Sequence, residues 1–170
     1  MRLFFVILLS LSLTACGLQP LYSGGANGVV GSTLGDVEVA PITGKAGWLV
    51  RHALNDRLES LSNASKKYQL VVELDDKIES LGIRSNDTVT RERRTLRARY
   101  KLVDNASGKT LIDATAGSDA GIDVVSSEYA TIAAENSALE NLSQTIANQI
   151  VARLSLYARK SAKTAANGAQ

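Results

Sequence analysis

YQLVVELDDKIES, Tyr68 to Ser80, and TVTRERRTLRARYKLV, Thr88 to Val103, are the stretches from which the architecture can be read. In the first, Tyr68, Leu70, Val72 and Leu74 take one side of a two-residue period, with Gln69, Glu73, Asp75, Lys77 and Glu79 on the other. In the second, Leu96, Ala98, Tyr100 and Leu102 share a side opposite Arg97, Arg99 and Lys101. Successive strand side chains point to opposite faces, so this alternation marks two strands that are each buried on one face only. The turn-rich Arg84 to Asp87 (RSND) lies between them, and a long antiparallel hairpin follows.

Working outward, Asn105 to Gly108 (NASG) supplies a second turn. Lys109 to Ala120 then returns as a fourth strand, although its Ala, Gly and Asp residues are poor strand formers. Upstream, Val50, Leu54, Leu58 and Leu61 recur at steps of three and four, which predicts an amphipathic helix over Ala46 to Leu61. Before it, Asp36 to Ile42 (DVEVAPI) alternates as a short first strand. Downstream, Ile132, Leu139, Leu142, Ile146, Ile150, Leu154 and Tyr157 keep helical spacing from Tyr129 to about Lys160 without proline or glycine. At 1.5 Å per residue that helix runs roughly 45 Å. The order is β-α-β-β-β-α. Each element offers one apolar face, so the expected fold is α+β: a two-layer sandwich with a four-stranded, mainly antiparallel sheet and both helices on one face. The other sheet face is then charged and open. The domain spans residues 36–160, and residues 161–170 (SAKTAANGAQ) read as a disordered tail.

The amino terminus has a different character. Met1 and Arg2 precede an eleven-residue apolar run, Leu3 to Leu13, broken only by Ser10 and Ser12. A membrane span needs roughly 20 apolar residues, so residues 1–15 read as a secretory signal and not as a persistent helix. Leu13, Thr14, Ala15 and Cys16 resemble the lipobox of bacterial lipoproteins, with cleavage before Cys16 and lipid on its sulfur. Cys16 is the sole cysteine, which excludes an intrachain disulfide and thiolate metal sites. Gly17, where an Asp would favour retention at the inner membrane, resembles an outer-membrane address. Residues 16–35, with glycine at 24, 25, 28, 31 and 35, read as a lipidated tether.

The chain carries 19 Lys plus Arg against 17 Asp plus Glu, and loss of Arg2 with the signal brings the mature chain closer still to neutrality. Bulk nucleic-acid binding is not suggested. Charge is instead local: Arg91, Arg93, Arg97, Arg99 and Lys101 are all odd-numbered and project from one strand face, with Arg94 on the other. Guanidinium forks suit phosphates, so the ribbon is a candidate glycolipid site. The reading that weighs more is a mostly internally paired face, since Glu73, Asp75 and Glu79 can stand opposite several of the arginines across the hairpin.

No catalytic, metal or cofactor constellation emerges. Asp75 and Asp76 are adjacent on a strand, so they diverge and cannot flank one bond. His52 has no base partner that can be named. Gly108, Lys109 and Thr110 lack the glycine that a phosphate loop carries five residues earlier, where Val103 stands. Trp48 and Tyr129, near helix starts, are expected to pack rather than to anchor a partner.

The segment Cys16 to Tyr22 (CGLQPLY), the glycine-rich stretch after it and this order of elements resemble the lipopolysaccharide-assembly lipoprotein family in its alphaproteobacterial form. The resemblance implies a noncatalytic lipoprotein at the periplasmic face of the outer membrane, seated in and plugging the large β-barrel of the lipopolysaccharide translocon. It also implies binding of lipopolysaccharide, for which Arg91, Arg93, Arg97, Arg99 and Lys101 are the available positions. A lipid-binding lipoprotein acting without a barrel is the alternative.

Overall fold

The computed structural model describes residues 28–59, 61, 66–83 and 89–168. The signal, Cys16, Gly17 and the RSND turn lie outside these residues. The element order is α1 (Val29–Gly35), β1 (Val37–Val39), α2 (Gly44–Glu59), β2 (Tyr68–Ile83), β3 (Val89–Asp104), β4 (Thr110–Asp123) and α3 (Glu128–Gly168). The four strands form one sheet in the order β1-β2-β3-β4. β1 is parallel to β2, and the other pairings are antiparallel. The expected α+β class, four-stranded sheet and covering helices are all present.

The period-two pattern sorts the faces as read. Leu70, Val72, Leu96, Ala98, Tyr100, Leu102 and Ala116 are buried on the inner face, where Val50, Leu54 and Leu58 of α2 and Leu139, Leu142, Ile146, Ile150 and Leu154 of α3 pack on them. Fully burying side chains of this size contributes about 1.5–3 kcal/mol each. The two helices run side by side in the same direction. Arg57 donates to Asn148 Oδ1 and Gln144 Oε1 (both 2.8 Å), and Lys45 donates to Asn136 Oδ1.

Four expectations are corrected. First, residues 29–35 are helical, although the glycine content of residues 16–35 suggested a tether throughout. Val30 and Leu34, one helical turn apart, are buried in the core, which offsets the cost of glycine in a helix, about 1 kcal/mol relative to alanine. Second, the long helix does not stop at Lys160: residues 161–168 continue it, sustained by Ala162, Ala165 and Ala166, the best helix formers. Third, Ile132, Trp48 and Tyr129 do not join the core. They are 47%, 64% and 84% exposed. β1 is also shorter than expected; after Ala40 donates to the Leu70 carbonyl, Pro41 has no N–H with which to continue the ladder.

Candidate functional site

The outer face of the sheet collects the charges that the odd-numbered positions announced. Along β3 stand Arg91, Arg93, Thr95, Arg97, Arg99 and Lys101. β2 places Glu79 opposite Arg93, Asp75 opposite Arg97 and Glu73 opposite Arg99. β4 places Asp123 opposite Arg91, Asp119 opposite Thr95, Gly117 opposite Arg97 and Asp113 opposite Lys101. The face is therefore a basic stripe between two acidic ones.

The arginines lean toward β4. Arg91 Nε donates to Asp123 Oδ1 at 3.1 Å. Arg97 Nη2 reaches both carboxylate oxygens of Asp119 (3.1 and 3.2 Å), while its Nη1 donates to the Ser118 carbonyl at 3.0 Å. Arg99 grips Asp113 through Nε at 3.3 Å and Nη2 at 3.1 Å. Internal pairing is thus real, but Asp113, Asp119 and Asp123 supply it, where Glu73, Asp75 and Glu79 were expected. Steric room decides the matter. Diagonal cross-strand neighbours lie within reach of long side chains, and Gly117 leaves the space over which Arg97 must lie. A Cβ at Gly117 would stand 2.6 Å from Arg97 Cδ. Asp75 is meanwhile engaged by Lys77 Nζ at 2.9 Å.

These bonds shift titration in the expected directions. The Thr95 hydroxyl, donating at 2.7 Å, and the Arg97 guanidinium together hold the Asp119 carboxyl below the usual carboxylate range. The hydrogen bonds and charge of Arg99 do the same for Asp113, and Asp113 in turn raises Arg99. The basic side chains nevertheless stay accessible: Arg97 and Arg99 are 48% and 60% exposed. Between β2 and β3 lies a shallow hollow of about 480 Å³, lined by Glu73, Asp75, Arg97, Arg99 and Thr115. A phosphate at Arg97 or Arg99 would have to displace a carboxylate from a guanidinium already satisfied by it.

Arg94, as its even number required, points inward. It makes a two-pronged pair with Asp76, Nε to Oδ1 at 2.8 Å and Nη2 to Oδ2 at 2.6 Å, and its Nη1 donates to the Glu135 carbonyl at 3.0 Å. Asp75 and Asp76 accordingly diverge. His52 is an exposed helix residue with Nδ1 3.3 Å from Asp56. Gly108 adopts φ of +67° in a turn where Asp104 accepts the backbone N–H of Ala106 and Ser107, so the Gly-Lys-Thr segment is turn chemistry. Another contact left no trace in the pattern. The Gln149 carboxamide accepts from the Gly117 N–H at 3.1 Å and donates to its carbonyl at 3.2 Å, covering the free edge of β4 as a neighbouring strand would. Among the described residues, no group of three His, Cys, Asp or Glu could hold a metal ion. No helix there is long and apolar enough to cross a membrane.

A family model described as lipopolysaccharide-assembly, LptE, matches residues 34–154. No curated protein matches the chain. Among solved structures, a protein described as a lipoprotein from Caulobacter crescentus CB15 superposes with a TM-score of 0.65 at 22% identity, covering 76% of this chain and 96% of its own. A minor lipoprotein from Acinetobacter baumannii gives 0.59 at 14% identity, covering 72% and 92%. Lipoprotein B from Nitrosomonas europaea gives 0.54 at 15% identity, covering 72% and 87%. At these identities the likeness establishes a shared fold.

Proposed function

Given that this chain belongs to the lipopolysaccharide-assembly family, LptE, over residues 34–154, we propose that it is the lipoprotein subunit of a translocon. In that role it seats in, and plugs, an outer-membrane β-barrel that delivers lipopolysaccharide to the outer leaflet. It is a noncatalytic lipopolysaccharide-assembly lipoprotein. The observation that carries the proposal is the extent of the family match, which takes in the whole sheet and most of α3. In support, the sheet presents a charged face over which no helix lies among the described residues. Lipid on Cys16, with Gly17 after it, would hold the domain at the periplasmic face of the outer membrane, in keeping with the solved relatives, which are described as lipoproteins.

Depletion of the chain tests this reading. Misassembled barrel and diminished surface lipopolysaccharide are expected; normal barrel maturation with normal surface lipopolysaccharide would sink it. The arginine stripe favours a further component, contact with the phosphates of lipopolysaccharide through Arg91, Arg93, Arg97, Arg99 and Lys101. Charge reversal in the R97E/R99E double variant should then weaken lipopolysaccharide binding, and unchanged binding would remove this face from the proposal. Binding that persists in a chain with no barrel partner in the cell would favour a stand-alone lipid-binding lipoprotein.

A further inference from the structure

At one end of the sheet several basic residues converge. Lys66 and Lys67 lead into β2, and the Asn105 backbone and side chain bond to both of their carbonyls, which brings the β3–β4 turn and Lys109 beside them. Lys66 Nζ donates to the Gly35 carbonyl at the close of α1. The last turns of α3 arrive at the same end: Tyr157, Lys160, Ser161 and Thr164 line a groove with Leu111, next to the start of β4. The chain carries no acidic side chain after Glu140, while Arg153, Arg159, Lys160 and Lys163 all follow it. The acids near this end are turned to internal work: Asp113, in the same hollow as Leu156 and Lys160, is held by Arg99. Asp36 is buried against Lys67 Nζ at 2.7 Å, and Asp104 holds the β3–β4 turn. Lys109, Lys160 and Lys163 stand exposed, and Leu156, one helical turn before Lys160, is an exposed apolar side chain.

The chain also enters the described fold within reach of this end: α1 closes beside Lys66, and its seven residues span about 10 Å. Residues 16–27 are twelve in number, and fully extended they reach at most ~42 Å. We propose that the basic end, through Lys109, Lys160 and Lys163 with Leu156 beside them, docks on the anionic phospholipid headgroups of the bilayer that holds the lipidated Cys16. Docking there fixes the direction in which the charged face of the sheet is presented. The geometry rests on the lipid-anchor reading, whereas the docking chemistry does not.

The test therefore uses the mature chain, residues 16–170, carrying Cys16→Ala, so that no acyl group contributes. It is incubated with vesicles of phosphatidylglycerol mixed with phosphatidylcholine, and with pure phosphatidylcholine, at low and at physiological salt. Preferential binding to the anionic vesicles, weakened by salt, is expected. At about fivefold per lysine near the surface, the K109Q/K160Q/K163Q variant should lose at least tenfold in affinity with its circular dichroism unchanged. Should the triple variant misfold, K163Q alone should lose a few-fold. Equal binding to both vesicle types overturns the proposal, as does binding lost in R97E/R99E but kept in the lysine variants. Palmitate labelling of the native chain reports separately on the anchor.

Discussion

Replacing Arg94 by Met removes half of the charged pair that closes the inner face beyond the apolar core. The Arg94 side chain is 11% exposed and that of Asp76 24%. Its guanidinium also donates to the Glu135 carbonyl, tying α3 to the hairpin. Losing one partner of a buried pair costs 3–5 kcal/mol where the remaining charge is fully dry. Asp76 retains some water, which brings the expected cost of R94M to about 2–3 kcal/mol. For a chain of this length that is a fall in Tm of roughly 4–12 °C. Replacing both partners, in D76L/R94M, leaves no stranded charge and should return most of the loss. Urea unfolding of wild type, both single variants and the double variant gives the coupling directly, and about 2–3 kcal/mol is expected, the upper part of the range for groups in contact. A loss below about 0.5 kcal/mol in R94M, the scale of an ordinary surface substitution, would refute the reasoning. So would a double variant no more stable than R94M.

Leu34→Ala should destabilise the fold by about 2–4 kcal/mol in the same unfolding experiment, because Leu34 is a fully buried core side chain and not part of a tether; a neutral result would detach α1 from the core. Gln149→Ala uncovers the Gly117 backbone at the β4 edge, costing about 1 kcal/mol and raising self-association in light scattering; an unchanged monomer would deny Gln149 its protective role. Asp104, Asp113 and Asp119 all have carboxyl pKa values lowered by the hydrogen bonds they accept. A depressed folded-state pKa gives stability that is complete above the unfolded value, about 3.9, and lost as pH falls through the folded one. On account of these groups the urea midpoint should therefore vary little between pH 5 and 8 and decline below about pH 4, the decline being shallower in D113N/D119N.

The hairpin was legible because one face of β2 and β3 is dry and the other wet, which writes a two-residue period into Tyr68 to Ser80 and Thr88 to Val103. The same parity separated Arg94 from Arg91, Arg93, Arg97, Arg99 and Lys101. It could not say which neighbour the arginines choose. That choice depends on the side-chain volume opposite them, and glycine at 117 opens the β4 side. A clue was available, since Asp113, Asp119 and Asp123 share odd parity with the arginines. α1 escaped notice because only Val30 and Leu34 carry it, and a two-residue apolar pair acquires meaning only once α2 and α3 are in place to bury it. The exposure of Trp48, Tyr129 and Ile132 was equally invisible: helical spacing marks a face, but not the point along a helix where the opposing layer ends. The Gln149 contact with Gly117 spans two elements and follows no period.

Isolation of the chain from outer membranes, tagged after Gln170 and held in mild detergent, tests membership of a translocon most directly. A large β-barrel protein recovered in one-to-one ratio, protecting the domain from protease, is the expected result. Recovery of the chain alone, fully open to protease, would contradict it.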